Sequence, residues 1–180
     1  MVIEDRSPRV DPADARYALK AAAVSIEFRF ERRKGMSNLE IAKRFADLLE
    51  SRDVKGLQAL LTDDFRAKGG VRELTKQQAL GYLQMFFTAF PDVRFGFVDF
   101  EEKEDLIQCT SQETGTHLGV LDLKPFGMPV SLPPTGKSFK LPKSINTFRV
   151  AGDKVTFYGE EAVKGGGLAG ILDQLGVKLP

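Results

Sequence analysis

The chain has 180 residues, 42% of them hydrophobic, which suffices for one sizeable core and makes one domain the default. Twenty-six basic and 25 acidic side chains nearly cancel, so no bulk positive charge points to nucleic acid as a partner. One cysteine, Cys109, and one histidine, His117, leave neither an internal disulfide nor a Cys-rich zinc site, and no metal or cofactor is expected.

Residues 1–35 read as an extension ahead of the domain, which is expected to run over 36–180. The extension is rich in charge, carries Pro8 and Pro12, and ends in "SIEFRFERRKG", where apolar and charged residues alternate. It lacks the basic, apolar and small-residue order of a signal peptide. No apolar run in the chain approaches the roughly 20 residues that span a bilayer. A soluble, cytoplasmic protein without a membrane partner is therefore expected.

"SNLEIAKRFADLLES" predicts the first helix, opened by a Ser37–Glu40 capping box, with Leu39, Ala42, Phe45 and Leu49 along one face. "DVKGLQALL" predicts a short second helix with Asp53 as its N-cap. "FRAKGG" reads as a short strand. "TKQQALGYLQMFFTAFP" predicts the third helix, from a Thr75–Gln78 box to the stop at Pro91. Its apolar stripe is Ala79, Tyr82, Leu83, Phe86, Phe87 and Phe90, and such a stripe needs a large apolar surface opposite it.

Beyond Pro91 the hydrophobic period changes to two. "VRFGFVDF" reads as a strand, "EEKED" as a charged turn and "LIQCTSQETGTHLGVL" as a long returning strand. After the proline- and glycine-rich "KPFGMPVSLPPTGK", "SFKLPKSINTFRV" and "KVTFYGEEAV" predict a hairpin turned by "AGD". "GGGLAGILDQLGV" reads as a glycine run followed by a short closing helix. Helices first and antiparallel strands afterwards argue for an α+β fold, a curved sheet packed on helices.

Alternation assigns faces to these strands. Ile107, Cys109, Ser111, Glu113, Gly115 and His117 share one side of the long strand. Val93, Phe95, Phe97 and Asp99 share one side of the strand before it, and Val155, Phe157, Gly159, Glu161 and Val163 one side of the last. Apolar faces carrying a few ionisable groups suit a sheet bent around an apolar pocket, with Gly115 and Gly159 leaving room for a bend or a ligand. The same faces also suit a plain core. Three roles stay open for His117: a general base oriented by Glu113, a neutral hydrogen-bonding contact, or a structural side chain satisfied by its neighbours. Cys109, with no flanking charge, reads as a small core residue. "PPTGK" lacks the spacing of a phosphate loop, and "GGGLAG" lacks the βαβ context of a dinucleotide site.

"FFTAFPDVRF", "GTHLG", "PPTGKSF" and "FRVAGDKV", in this order across residues 37–176, resemble the NTF2-like superfamily, and within it the SnoaL-like, polyketide cyclase-like domains. The resemblance implies a cone: three N-terminal helices on a strongly curved antiparallel sheet that encloses a hydrophobic pocket, with a short C-terminal helix. It implies a homodimer and an apolar small-molecule ligand. It also implies cofactor-independent cyclase or isomerase chemistry, by acid and base, on an apolar carbonyl compound. The alternative within the resemblance is a binding module or dimeric scaffold without chemistry. Such domains usually place an Asp near the end of the last strand. Here that stretch is "FYGEEAV", with Ala162 and Val163 around the expected acid and Glu160 and Glu161 nearest to it. Alternation favours Glu161 as the inward one, so His117 and Glu161 are the catalytic candidates. Tyr82, Phe86, Phe90, Phe95, Phe97, Glu113, Asn146, Phe157 and Tyr158 are the ligand-binding ones.

Overall fold

A computed structural model describes residues 35–69 and 72–177 of the chain. The extension expected over residues 1–35 lies almost wholly outside them. Helix α1 (Asn38–Glu50) starts where Ser37 and Glu40 exchange hydrogen bonds: the Glu40 N–H donates to Ser37 Oγ at 3.2 Å, and the Ser37 N–H to Glu40 Oε2 at 2.7 Å. Two N–H groups at the start of the helix gain acceptors in this way. The helix buries Ile41, Ala42, Phe45, Ala46 and Leu49. Asp53 caps α2 (Val54–Leu60) through the Gly56 N–H at 2.8 Å. Helix α3 (Lys76–Ala89) opens on the Thr75–Gln78 box and buries Ala79, Phe86 and Ala89. The fourth helix, α4 (Gly167–Leu175), lies near the C-terminal end and buries Ile171, Leu172 and Leu175.

Strands β1 (Leu61–Gly69) and β2 (Arg72–Thr75) separate α2 from α3. After α3 come β3 (Val98–Lys103), β4 (Leu106–Ser111), β5 (Thr114–Thr116), β6 (Leu121–Asp122), β7 (Ser131–Leu132), β8 (Ser138–Lys140), β9 (Ser144–Ala151) and β10 (Lys154–Glu160). The main sheet has the order β2-β1-β10-β9-β4-β3. It is mixed: β1 runs parallel to β10, and its other pairings are antiparallel. The expected sheet was antiparallel throughout. The early strand β1, read from the sequence only as the short "FRAKGG", supplies the parallel edge to the final hairpin.

Two predicted strands are broken. "VRFGFVDF" enters β3 only at Val98 and pairs regularly only from Glu101: Gly96, just ahead of the strand, takes a positive φ of 62°, and Asp99, inside the irregular stretch, one of 57°. Val93 and Phe95 are buried all the same, just ahead of the strand. Glu101–Lys103, expected in a turn, belong to β3. The long strand divides at Gln112 and Glu113, between β4 and β5. There the Gln112 N–H donates to the Phe95 carbonyl at 3.0 Å, and the Leu141 N–H to the Glu113 carbonyl at 2.9 Å. The backbone changes partners and the sheet bends at this point.

The concave face of the sheet meets α1 and α3. Phe45 of α1 sits edge-on to Phe148, 5.4 Å between centroids, and stacks on Tyr158 at 5.3 Å. Phe86 and Phe90 of α3 lie 4.8 Å apart, and Phe90 meets Phe139 edge-on at 5.1 Å. Gly115 leaves the space that Phe139 fills: a Cβ there would stand 2.9 Å from the ring. A Cβ on Gly159 would stand 2.8 Å from the Phe157 ring. Both glycines make room for a neighbouring ring.

Candidate functional site

The inward residues of the central strands form rows across the sheet. Cys109 and Glu160 flank Asn146 in one row, Ile107 and Tyr158 flank Phe148 in the next, and Ser111 pairs with Ser144. Ile107, Cys109, Ser111, Ser144, Asn146 and Phe148 are all buried. The face is apolar toward Phe148 and polar toward Ser144.

In the polar part five side chains form one hydrogen-bonded chain. Tyr158 Oη donates to Asn146 Oδ1 at 2.6 Å, and Asn146 Nδ2 donates to Ser111 Oγ at 2.8 Å. The Ser111 and Ser144 hydroxyls lie 3.2 Å apart, and Ser144 Oγ donates to Glu160 Oε1 at 2.9 Å. Burial raises the Glu160 pKa above the ordinary carboxylate value, against the opposing hydrogen bond from Ser144. Glu113 stands at the break between β4 and β5. Burial pushes its carboxyl up to about 8, and the charges of Glu160 and Glu50 add to the rise. At neutral pH Glu113 is therefore mostly protonated and able to donate. Tyr82 and Tyr158 feel the same two carboxylates: burial first, and then Glu113 and Glu160, raise both phenols above their ordinary value. Both hydroxyls stay protonated as donors.

The sequence candidates divide accordingly. Tyr82, Glu113, Asn146 and Tyr158 belong to this neighbourhood. Tyr82 stacks on Phe86 at 5.7 Å, and Phe86, Phe90, Phe95 and Phe97 form a connected aromatic run beside it. Phe157 is elsewhere. It pairs with the exposed Arg149, whose guanidinium lies 5.4 Å from its ring, on the opposite face of the sheet.

Glu161, expected to point inward, is exposed, and Glu160 takes the inward place. The cause is a bulge. Val155 pairs with Val150 and Phe157 with Arg149, leaving Thr156 without an opposite residue. One extra residue flips the alternation beyond it. Before the bulge the odd position Val155 is buried, and after it the even positions Tyr158 and Glu160 face inward.

His117 is buried but separate from the chain of five. Its Nδ1 lies 3.1 Å from Thr135 Oγ1, and its ring packs 5.4 Å from Phe90. Burial lowers its pKa, with the Gly119 backbone opposing, so the ring is neutral near pH 7. Its N–H and carbonyl tie down the "PPTGK" loop through the Lys137 carbonyl and the Gly136 N–H, each at 2.9 Å. Cys109 is a core thiol that burial pushes up to about 12, which keeps it un-ionised.

Two recesses border this region without including Glu113 or Glu160. One, of about 340 Å³, is lined by Lys43, Asp47, Glu50, Phe97 and Phe100 among others. The other, of about 350 Å³, is lined by Asp99, Glu101, Gln108, Thr110 and Ile145 among others.

A family model for the SnoaL-like domain matches residues 42–158. The chain belongs to the SnoaL-like family. Solved structures agree on the fold of this SnoaL-like chain. AclR of Streptomyces galilaeus, a candidate hydroxylase, superposes with a TM-score of 0.59 at 17% identity, over 76% of this chain and 92% of its own. IdmH of Streptomyces antibioticus, a candidate polyketide cyclase, gives 0.55 at 21%, over 76% and 96%. A candidate SnoaL-like polyketide cyclase from Jannaschia sp. CCS1 gives 0.58 at 17%, over 75% and 89%. No curated protein matches the sequence significantly. The SnoaL-like match takes in Tyr82, Ser111, Glu113, Ser144, Asn146 and Tyr158, while Glu160 lies just past its end.

Ser111 was readable on the inward side of its strand, and Ser144 shares alternation with Asn146. Nothing in the sequence marks either as functional, because a serine becomes informative only beside its partners. Glu160 was hidden by the bulge.

Proposed function

We propose that this SnoaL-like domain binds an apolar carbonyl compound and moves a proton on it without a cofactor, as a cyclase or isomerase does, and that it works as a homodimer. One observation carries the reading. Two interior carboxyls of the same residue type sit in environments that separate their roles: Glu160 accepts from Ser144, and Glu113 is raised to about 8. Glu160 then serves as the base at the carbon next to the carbonyl. Protonated Glu113, with the Tyr82 hydroxyl, donates to the enolate oxygen that develops. Two carboxyls in unlike environments, one accepting a hydrogen bond and the other raised to about 8, suit a division of acid from base at neutral pH. The aromatic run of Phe86, Phe95 and Phe97 supplies apolar contact. This assignment moves the catalytic role from His117 and Glu161 to Glu160 and Glu113.

A binding module without chemistry is favoured by a different observation: neither recess described above is lined by Glu113 or Glu160. Proton exchange decides between the two. Apolar 1,3-dicarbonyl probes in D₂O are followed by proton NMR, with wild type compared with Glu160→Gln. Wild type is expected to accelerate exchange by about 10² or more over the variant, the usual contribution of a placed base. Equal rates across the panel would leave a binding module.

A further inference from the structure

The chain from Tyr158 to Glu160 has a direction, and Asn146 is the one member that sets it. The hydroxyls of Ser111 and Ser144 each donate and accept, so they pass a polarity along but choose none. A carboxamide is different: its nitrogen only donates and its oxygen only accepts. Asn146 Nδ2 donates to Ser111 Oγ at 2.8 Å and lies 3.5 Å from the Ser144 carbonyl oxygen, which only accepts. Turning the amide over would set Oδ1 against that carbonyl. The orientation is thus held from the strand's own backbone, while Tyr158, 2.6 Å from Oδ1, follows as donor.

We infer that Asn146 is a positioning residue that biases Glu160 toward the carboxylate through Ser111 and Ser144. With Nδ2 donating, Ser111 is filled as an acceptor and turns its own proton to Ser144. Ser144 then turns its proton to Glu160 Oε1, a bond that is strongest when Glu160 is a carboxylate. A proton on Oε1 would need the serines reversed, with Ser111 donating to a nitrogen that has no lone pair to offer, so a neutral Glu160 carries its proton on Oε2 and keeps only a weaker bond from Ser144. The chain therefore opposes protonation of Glu160 at two removes from the carboxyl, in the place where burial favours it. Such chains are cooperative, since each bond polarises the next. The ionisable groups around Glu160 are Glu113 beyond β4, Tyr82 from α3, Tyr158 on its own strand and Cys109 on β4, with Glu50 of α1 acting on Glu113. Of these only Tyr158 touches Asn146, through the 2.6 Å bond to Oδ1 that Asn146→Leu also removes, whereas Ser111→Ala leaves that bond in place.

The inference rests on the acid–base reading for its use, but its test does not. The Glu160 side-chain carboxyl is followed by carbon-13 NMR against pH in wild type, Asn146→Leu, Ser111→Ala and the double variant. Each single change is expected to raise the Glu160 midpoint by about half a unit or more, roughly threefold in acid constant. The double variant is expected to match Ser111→Ala alone, because a chain already cut at Ser111 transmits nothing from Asn146. A midpoint unmoved in Asn146→Leu overturns the inference, and so does a shift that adds to that of Ser111→Ala. If Asn146→Leu does not fold, Asn146→Ser in the same pair of backgrounds gives the same comparison. Shifted midpoints in a protein that never exchanges carbon-bound protons keep the inference and defeat the acid–base reading. Unmoved midpoints with exchange intact do the reverse.

Discussion

Glu113 shows how a single buried carboxyl shapes the behaviour of the folded chain. Its folded pKa of about 8 lies above the ordinary value of 4.5, so the native state holds a proton that the unfolded state releases. The stability this gives is full below about pH 4.5, declines as pH rises, and is lost by about pH 8. Glu160, raised in the same direction, adds to the decline. His117 acts from the other side: its lowered pKa means stability is lost as pH falls below the ordinary histidine value of 6.5. Glutamine mimics the protonated acid, so Glu113→Gln is expected to match wild type at pH 5 and to melt higher than wild type at pH 9. Thermal unfolding at the two pH values checks this. A variant that loses the same stability as wild type between pH 5 and pH 9 would place the decline on other groups.

At the scale of elements, the helices were legible because their signals are local. The boxes at Ser37 and Thr75 and the cap at Asp53 each involve residues three apart in sequence. The apolar face of β4 was also legible, and Ile107, Cys109 and Ser111 are buried as alternation implies. What failed depended on contacts from afar. The breaks at Gly96, Asp99 and Gln112 reflect changes of backbone partner, and the bulge at Thr156 arises in the pairing of β10 with β9. A one-residue insertion has no composition, yet it decided which of two adjacent glutamates faces inward. Gly119 is another contact of this kind. The N–H groups of Leu118 and Gly119 both donate to the Ala89 carbonyl at the end of α3, and a Cβ on Gly119 would run into the Thr88 carbonyl oxygen. Backbone cannot yield as a side-chain tip can, so Gly119→Ala is expected to cost at least about 2 kcal/mol in urea unfolding. A cost below about 0.5 kcal/mol, the size of an ordinary surface change, would contradict that packing.

At the scale of the whole molecule, the sheet separates two jobs. Its inner face carries Glu160 and Tyr158, with Glu113 at the break after β4 and Tyr82 on α3. Its outer face carries Val98, Thr110 and Ile145 in one row across β3, β4 and β9. Val98 is 46% exposed and Ile145 45%, an apolar row that suits the proposed homodimer. Sedimentation of Ile145→Arg is expected to show a shift toward monomer, and an unchanged distribution would move the interface elsewhere. No helix among the described residues is long and apolar enough to cross a membrane. The central claim remains the interior pair, and a carbon-13 titration of the Glu113 and Glu160 carboxyls in the wild-type chain tests it most directly. Two separate midpoints are expected, one near 8 that Glu113→Gln removes and one for Glu160 above the ordinary glutamate value. Two ordinary midpoints near about 4.3 would show both carboxyls in water, and no acid–base pair would remain.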